Sequence, residues 1–431
     1  MVKEGMPVKA KKNRWLIALS AICIHLSIGA AYAYSVYTIP LVETLGWTVA
    51  SVTIAFTVMM TLGGASAAVF GKFVERSGPR KSAIVAAVLF GIGQAGSGFA
   101  VSIDSLELFI LSYGFLSGVG LGIGYIAPVS TLVKWFPDRR GLATGMAVLG
   151  FGTGALITAP VAAALMENVG ISTTFYILGT SYFILMLLGA LYIAPPPRNW
   201  MPQGMKEKSI RGVRKLNDLS SLTAKKAVKT RHFWMLWTIM LINTSAGIMM
   251  ISVASPMAQT IGGLSAAAAA VMVGLMGIFN GAGRIGWAAA SDYLTRPVVF
   301  IIFFVIQLVA FLTLPNTSSA LVFQALIFLV VSCYGGGFSN LPAFIADLFG
   351  TKELAAIHGY LLTTWSLGGL IGPTLVSQIY AGTGSYIPVF HVFIALIAVA
   401  LVIAVLLKWD VRRIRKRQKE PVATVYDETQ G

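Results

Sequence analysis

A chain of 431 residues that is 56% hydrophobic and only 11% charged has too few polar side chains to clothe a water-soluble fold, in which about a quarter of residues are charged. Its net charge of +16 forms no basic face interleaved with aromatics, which excludes a nucleic-acid surface and leaves membrane topology and anionic lipid heads as the reasons for the excess. The two cysteines, Cys23 and Cys333, both fall in apolar runs, so neither a disulfide framework nor a metal cluster is expected.

Runs of about 20 apolar residues, each long enough to cross roughly 30 Å of hydrocarbon as a helix, lie at 15–39, 51–73, 81–101, 107–131, 140–165 and 172–194. Six more lie at 231–260, 266–290, 297–315, 319–345, 354–379 and 386–409. The first run holds Ala31-Tyr32-Ala33 behind basic residues, as a cleaved signal peptide would, but eleven runs follow and retaining it keeps their number even. Lys and Arg fill the tails and the gaps after even-numbered runs, whereas the gaps after odd-numbered runs contain neither. By the positive-inside rule this predicts a multi-pass protein of the cytoplasmic (inner) membrane with both termini cytoplasmic. One long polar stretch, opening at Pro195-Pro196-Pro197, divides the chain. The parts are a tail 1–14, a six-helix half 15–194, a cytoplasmic linker 195–230, a second six-helix half 231–410 and a tail 411–431.

The halves repeat each other. Trp135 to Pro160 aligns without gaps on Leu348 to Pro373, a shift of 213 residues, and Glu75 echoes Asp292 at the same end of the second helix of each half. The fold class is therefore an all-α integral membrane protein with twelve transmembrane helices in two pseudo-symmetric six-helix halves, an architecture that places a site at the midplane between them.

Arg284 is the one basic residue deep inside an apolar run, and no run supplies it with a carboxylate. An unpaired guanidinium at membrane depth costs roughly 2.5–3.5 kcal/mol on insertion scales, so an anionic substrate is its natural counter-ion. Asn280, four residues earlier, shares its helix face. It is placed to hold the guanidinium or to donate to a carboxylate. His25 and His358 lie within runs and are candidates for proton coupling. The glycine run Gly118 to Gly124 sits in an apolar helix without a preceding strand, which points to close helix packing and not to a dinucleotide loop.

The segment GKFVERSGPRK, with Gly71, Glu75, Arg76, Gly78, Arg80 and Lys81, resembles the loop signature between helices 2 and 3 of the major facilitator superfamily. WFPDRRGLATG and, in helix 8, NGAGR are similar to the oxalate/formate antiporter family and its monocarboxylate-carrying relatives, over essentially all of 15–410. The resemblance implies that Arg284 binds a substrate carboxylate and that Tyr32, Tyr125, Tyr334 and Phe338 shape the pocket. It also implies a cytoplasmic gate built from Gly71, Glu75, Arg76, Gly78, Arg80, Asp138, Arg139 and Asp292. Two departures matter: Asn280 stands where animal monocarboxylate carriers hold a proton-coupling Asp, and Trp365 stands where oxalate carriers hold a Lys.

With a single cation, the site suits a monoanion. The expected function is secondary transport of a small organic monocarboxylate of the lactate, pyruvate or formate kind, by alternating access, as exchange with a second anion or proton symport. The chain is expected to work as a monomer in the bilayer, with no cofactor and no metal. A dicarboxylate antiporter of the oxalate/formate type is the alternative, and a membrane anion sensor a further one. No cluster of acids, His or Cys at depth suggests an enzyme.

Overall fold

The computed structural model describes residues 12–197, 200–202, 219–317 and 319–417. Most of the two tails, and linker residues 198–199 and 203–218, lie outside the described residues.

Most described residues are helical. Helix α1 runs Arg14–Gly29, tightens through a 3₁₀ turn at Ala30–Ala33 and continues as Ser35–Leu45. The next rod, Val49–Ser102, is two helices, α2 (49–77) and α3 (79–102), divided at Gly78, whose φ of 77° only glycine adopts without strain. Helix α4 comprises Leu106–Phe109, a π-helical turn Ile110–Leu116 and Ser117–Trp135. Arg140–Tyr192 repeats the divided rod, with Gly170 at φ 77° separating α5 (140–169) from α6 (171–192). The second half supplies α7 (Arg231–Thr260), α8 (Ala266–Leu294), α9 (Arg296–Thr313), α10 (Ala320–Phe349), α11 (Leu354–Thr383) and α12 (Ile387–Arg417). Several starts follow from one side chain: Asn13, Thr48, Thr230, Ser265 and Ser319 each accept a bond from a first-turn amide. The twelve apolar runs thus become twelve helices among the described residues, and most end a few residues later than hydropathy alone places them.

Lipid gives helices no hydrophobic reason to associate, so small residues that let backbones approach do that work. A Cβ at Gly154 of α5 would lie 2.5 Å from the Leu26 carbonyl oxygen of α1, and one at Gly179 of α6 would lie 2.8 Å from the Ala95 amide of α3. In the second half Gly372 of α11 presses on the Ser245 carbonyl of α7 at 2.5 Å by the same measure. The glycine run in α4 packs as its setting implied: Gly118 meets the Met59 carbonyl at 3.0 Å and Gly120 the Phe90 amide at 2.7 Å.

The halves meet through α2 on α11 and α5 on α8. A Cβ at Gly71 would lie 2.6 Å from Ala356 Cα, and Gly359 and Gly141 abut the backbone of Ala67 and Ala288. All these contacts lie toward the end of the bundle that carries the basic residues, called here the basic end. Toward the opposite end, Gly274 and Gly277 share the α8 face of Gly281, yet a Cβ at either would meet nothing within 4 Å. The halves are closed at the basic end and diverge beyond the middle.

Gly154→Val, forced against the α1 backbone, is expected to destabilise the first half by about 1–3 kcal/mol. A lower midpoint in a detergent thermal-unfolding assay checks this, and an unchanged midpoint would show that α1 yields freely.

Candidate functional site

Where the halves meet at mid-depth, Arg284 of α8 is 1% exposed. Its Nε donates to Asn280 Oδ1 at 2.9 Å, the bond that the four-residue spacing allows. Two glycines make room for the long stem: a Cβ at Gly335 of α10 would come within 3.2 Å of Arg284 Cγ, and one at Gly152 of α5 within 3.4 Å of Cδ. The guanidinium carbon then lies 5.7 Å from the centre of the Phe151 ring and 5.9 Å from that of Phe338. These lie at the outer limit of cation–π attraction and offset little of the charge. Arg284 Nη1 is buried with no hydrogen-bond partner, and among the described residues no carboxylate pairs with this residue.

Aromatic rings enclose the charge. Tyr32 meets Phe151 edge-on at 4.9 Å, Tyr125 meets it at 5.5 Å and Trp365 at 5.7 Å. Trp365 also lies 5.8 Å from both Tyr125 and Phe338, and Phe338 lies 5.3 Å from Tyr334. The phenols of Tyr32, Tyr125 and Tyr334 are within electrostatic reach of the guanidinium. Tyr125 Oη, like Arg284 Nη1, is buried without a partner. Two such donors in one aromatic enclosure are able to hydrogen-bond a small anionic group, since a buried donor left unmatched costs free energy. The structure brings together all seven residues proposed for the pocket: Arg284, Asn280, Tyr32, Tyr125, Tyr334, Phe338 and Trp365. Tyr34 and Tyr37, also on the first helix, pack with Phe56, Tyr113 and Phe175 inside the first half. Phe151 was missed, although the 213-residue repeat pairs it with Thr364, the immediate neighbour of Trp365.

His25 of α1 stacks on Tyr125 at 5.1 Å, with Nε2 3.0 Å from the Tyr125 carbonyl oxygen. His358 of α11 is fully buried, its ring 5.8 Å from that of Tyr125. His391 lies exposed on α12.

At the basic end, two carboxylates reach across between the halves to cap opposing helices. Glu75 of α2 accepts from the Ala355 amide at the start of α11 at 2.6 Å. Asp292 of α8 accepts from the Gly141 and Leu142 amides at the start of α5 at 2.9 and 3.0 Å. The repeat relates Ala355 to Leu142, so the closure has the pseudo-symmetry of the sequence. Each carboxylate also sits at the positive end of a helix dipole.

The ion pairs differ from those expected. Arg76, Arg80 and Arg139 are exposed and form no salt bridge among those resolved, because their side chains point out to where water and lipid heads solvate them. Glu75 pairs with Lys134 at 3.1 Å, Asp138 with Arg14 at 3.0 Å within the first half, and Asp292 with Arg296 at 2.6 Å. Asp347 of α10, unassigned from sequence, accepts from Arg140 across the halves at 3.1 Å and faces Arg296 at 3.4 Å. Carrying the repeat one residue further back would have paired Lys134 with Asp347 and exposed both. Gly71 and Gly78 serve as a close contact and a chain reversal.

Asp347→Asn removes the buried carboxylate that Arg140 and Arg296 share across the halves, a destabilising change. Amides 141–145 and 354–359 are then expected to exchange hydrogen roughly tenfold faster, equivalent to about 1.4 kcal/mol of lost closure. Unchanged exchange would remove Asp347 from the closure.

The sequence pattern of the Major Facilitator Superfamily matches residues 17–373 and, a second time, 264–425. The chain is 28% identical over 400 residues to the oxalate:formate antiporter of Oxalobacter formigenes, covering 91% of this chain and 92% of that one. It is 26% identical over 367 residues to monocarboxylate transporter 12 of Xenopus laevis, covering 79% and 76%. In three dimensions it superposes on the major facilitator transporter FucP, solved in an outward conformation, with a TM-score of 0.71 at 15% identity over 91% of this chain and 98% of that one.

Proposed function

The chain belongs to the Major Facilitator Superfamily, and on that premise we propose that it carries a small organic monocarboxylate, of the lactate, pyruvate or formate kind, across the cytoplasmic membrane. The observation that supports this most is the buried guanidinium of Arg284, whose Nη1 lacks a partner beside the equally unpartnered Tyr125 Oη. A carboxylate spans two such donors, and neutralises the charge that makes the empty site costly. The relatives whose names specify oxalate, formate and monocarboxylates agree with an anion as cargo.

One cation among rings favours one negative charge. Trp365, 4% exposed, puts an indole where the resemblance to oxalate carriers implies a Lys for the second charge of a dianion. The enclosure is therefore read as selective for monoanions, with an oxalate-type dicarboxylate exchanger as the second reading. Transport follows from alternating access. The basic end, read as cytoplasmic, is the closed one, and rocking the halves would open it while closing the other end. Exchange and proton symport both fit this cycle.

Counterflow in proteoliposomes with labelled formate, lactate, pyruvate and oxalate tests the reading. Arg284→Lys keeps the charge but loses the planar fork and is expected to reduce counterflow of every active substrate by roughly tenfold or more. Normal counterflow by Arg284→Lys and Arg284→Ala together would end the anion-site reading. Trp365→Lys is expected to raise competition by oxalate against the preferred monocarboxylate. If oxalate competes no better than in the parent, Trp365 does not set the charge preference.

A further inference from the structure

Helix α10 carries three consecutive glycines, Gly335, Gly336 and Gly337, between the pocket aromatics Tyr334 and Phe338. Glycines in a helix interior weaken it, so a run of them needs a reason. Each one is pressed by a different neighbour. A Cβ at Gly335 would overlap the Asn280 carbonyl oxygen of α8 and lie 3.2 Å from Arg284 Cγ. One at Gly336 would lie 2.7 Å from the Phe303 ring of α9 and 2.8 Å from that of Trp287 of α8, and one at Gly337 would overlap Asn243 Nδ2 of α7. Successive residues point about 100° apart around a helix, so α10 is held on three sides. The remaining side carries Tyr334 and Phe338, which reach Arg284.

The stop at Gly337 is the end of a side chain, which ordinarily yields. Here it is pinned. Asn243 Oδ1 accepts from Gln307 Nε2 of α9 at 2.7 Å, and the two residues are 0% and 1% exposed. Asn243 Nδ2, against Gly337, and Gln307 Oε1 have no hydrogen-bond partner. Apolar side chains would fill the same space without that cost, so packing alone does not account for the pair. The 213-residue repeat relates Gln307 to Gln94, whose Nε2 donates to Ser117 Oγ of α4 at 3.2 Å. A buried glutamine on the third helix of each half thus ties that helix to a neighbour. We infer that Asn243 and Gln307 are positioning residues for the pocket: pinned together, they stop α10 at Gly337, hold Tyr334 and Phe338 at a fixed distance from Arg284, and so set the size of the monocarboxylate that fits.

The inference rests on the proposed anion site and adds a size limit to it. Gly335 and Gly337 are two residues apart and therefore point in nearly opposite directions. A push from α7 at Gly337 drives α10 toward α8 at Gly335. That brings the Phe338 ring, 5.9 Å from the guanidinium carbon, closer to the charge and narrows the space for the carbon skeleton of the acid. Trimming the stop has the opposite sign, because α10 is then free to settle toward α7. Formate has no carbon beyond its carboxylate and is the least sensitive. Lactate and pyruvate extend further, and a single methylene is worth roughly 10–200-fold in a fitted pocket.

The test is counterflow by full-length carrier in proteoliposomes. It measures KM and maximal rate for the best-carried labelled monocarboxylate, and inhibition constants for unlabelled formate, lactate and pyruvate. Gly337→Ala is expected to raise the inhibition constants of lactate and pyruvate roughly tenfold or more relative to that of formate. Asn243→Ala with Gln307→Met, which removes both partners and leaves neither amide behind, is expected to lower the same ratio by roughly threefold. Combined with Gly337→Ala, that pair is expected to return the ratio to within about threefold of the parent, a rescue that a merely weakened helix does not show. Should Gly337→Ala fail to insert, the trimmed pair alone decides. An unchanged ratio in either inserted carrier, an equal loss for all three acids, or a Gly337→Ala effect that trimming does not reverse overturns the inference and leaves the anion site standing. No counterflow of any monocarboxylate by wild type removes both readings.

Discussion

One guanidinium at membrane depth, without a carboxylate among the described residues to neutralise it, is the constraint around which the site is arranged. Such a charge is tolerated only when it is hydrogen-bonded, kept from lipid and given a counter-ion. The first need is met by Asn280 at 2.9 Å, and the second by burial to 1% exposure between α5, α8 and α10. The third is left open. Glycines at 152 and 335 are part of the same solution, since a Cβ at either would crowd the stem that brings the charge inward. Phe151 and Phe338 lie at the outer limit of cation–π attraction and offset too little of the charge to replace an anion.

Legibility in the sequence followed the physical range of each interaction. The twelve helices were readable because hydrocarbon thickness dictates run length and charge dictates the gaps. Two details escaped that logic: the Val49–Ser102 and Arg140–Tyr192 rods turn at a single glycine with no intervening loop, and α1 tightens at Ala30–Ala33. Arg284 with Asn280 was readable because four residues on one helix is a local relation. Phe151 was not. A phenylalanine in an apolar helix carries no mark of which face it occupies until the neighbouring helices are in place.

The basic end shows the opposite failure. Arg76, Arg80 and Arg139 stand out in sequence because they are dense, charged and near turns, yet exposure leaves them with solvent. Asp347 and Arg140 stand out less, one at the end of an apolar helix and one at the start of another, and their side chains are only 7% and 8% exposed. Exposed ion pairs contribute little in water, whereas a buried pair must be satisfied wherever it forms. Charge density in a loop therefore overstated the contribution of some residues and hid that of others.

The two regions are joined by the same rigid elements. Helix α8 carries Arg284 and, eight residues on, Asp292, about 12 Å away along the axis. Helix α5 begins with the Gly141 and Leu142 amides that Asp292 caps and carries Phe151 at the site. Helix α11 begins with the Ala355 amide that Glu75 caps and carries Trp365. Every helix whose end is capped across the halves thus also lines the pocket. An anion held by Arg284 in the proposed site would therefore bear on the rods whose ends hold the closure. Because packed helices shift as bodies and do not deform continuously, the proposed occupancy of the site would be coupled to closure of the basic end through these shared helices.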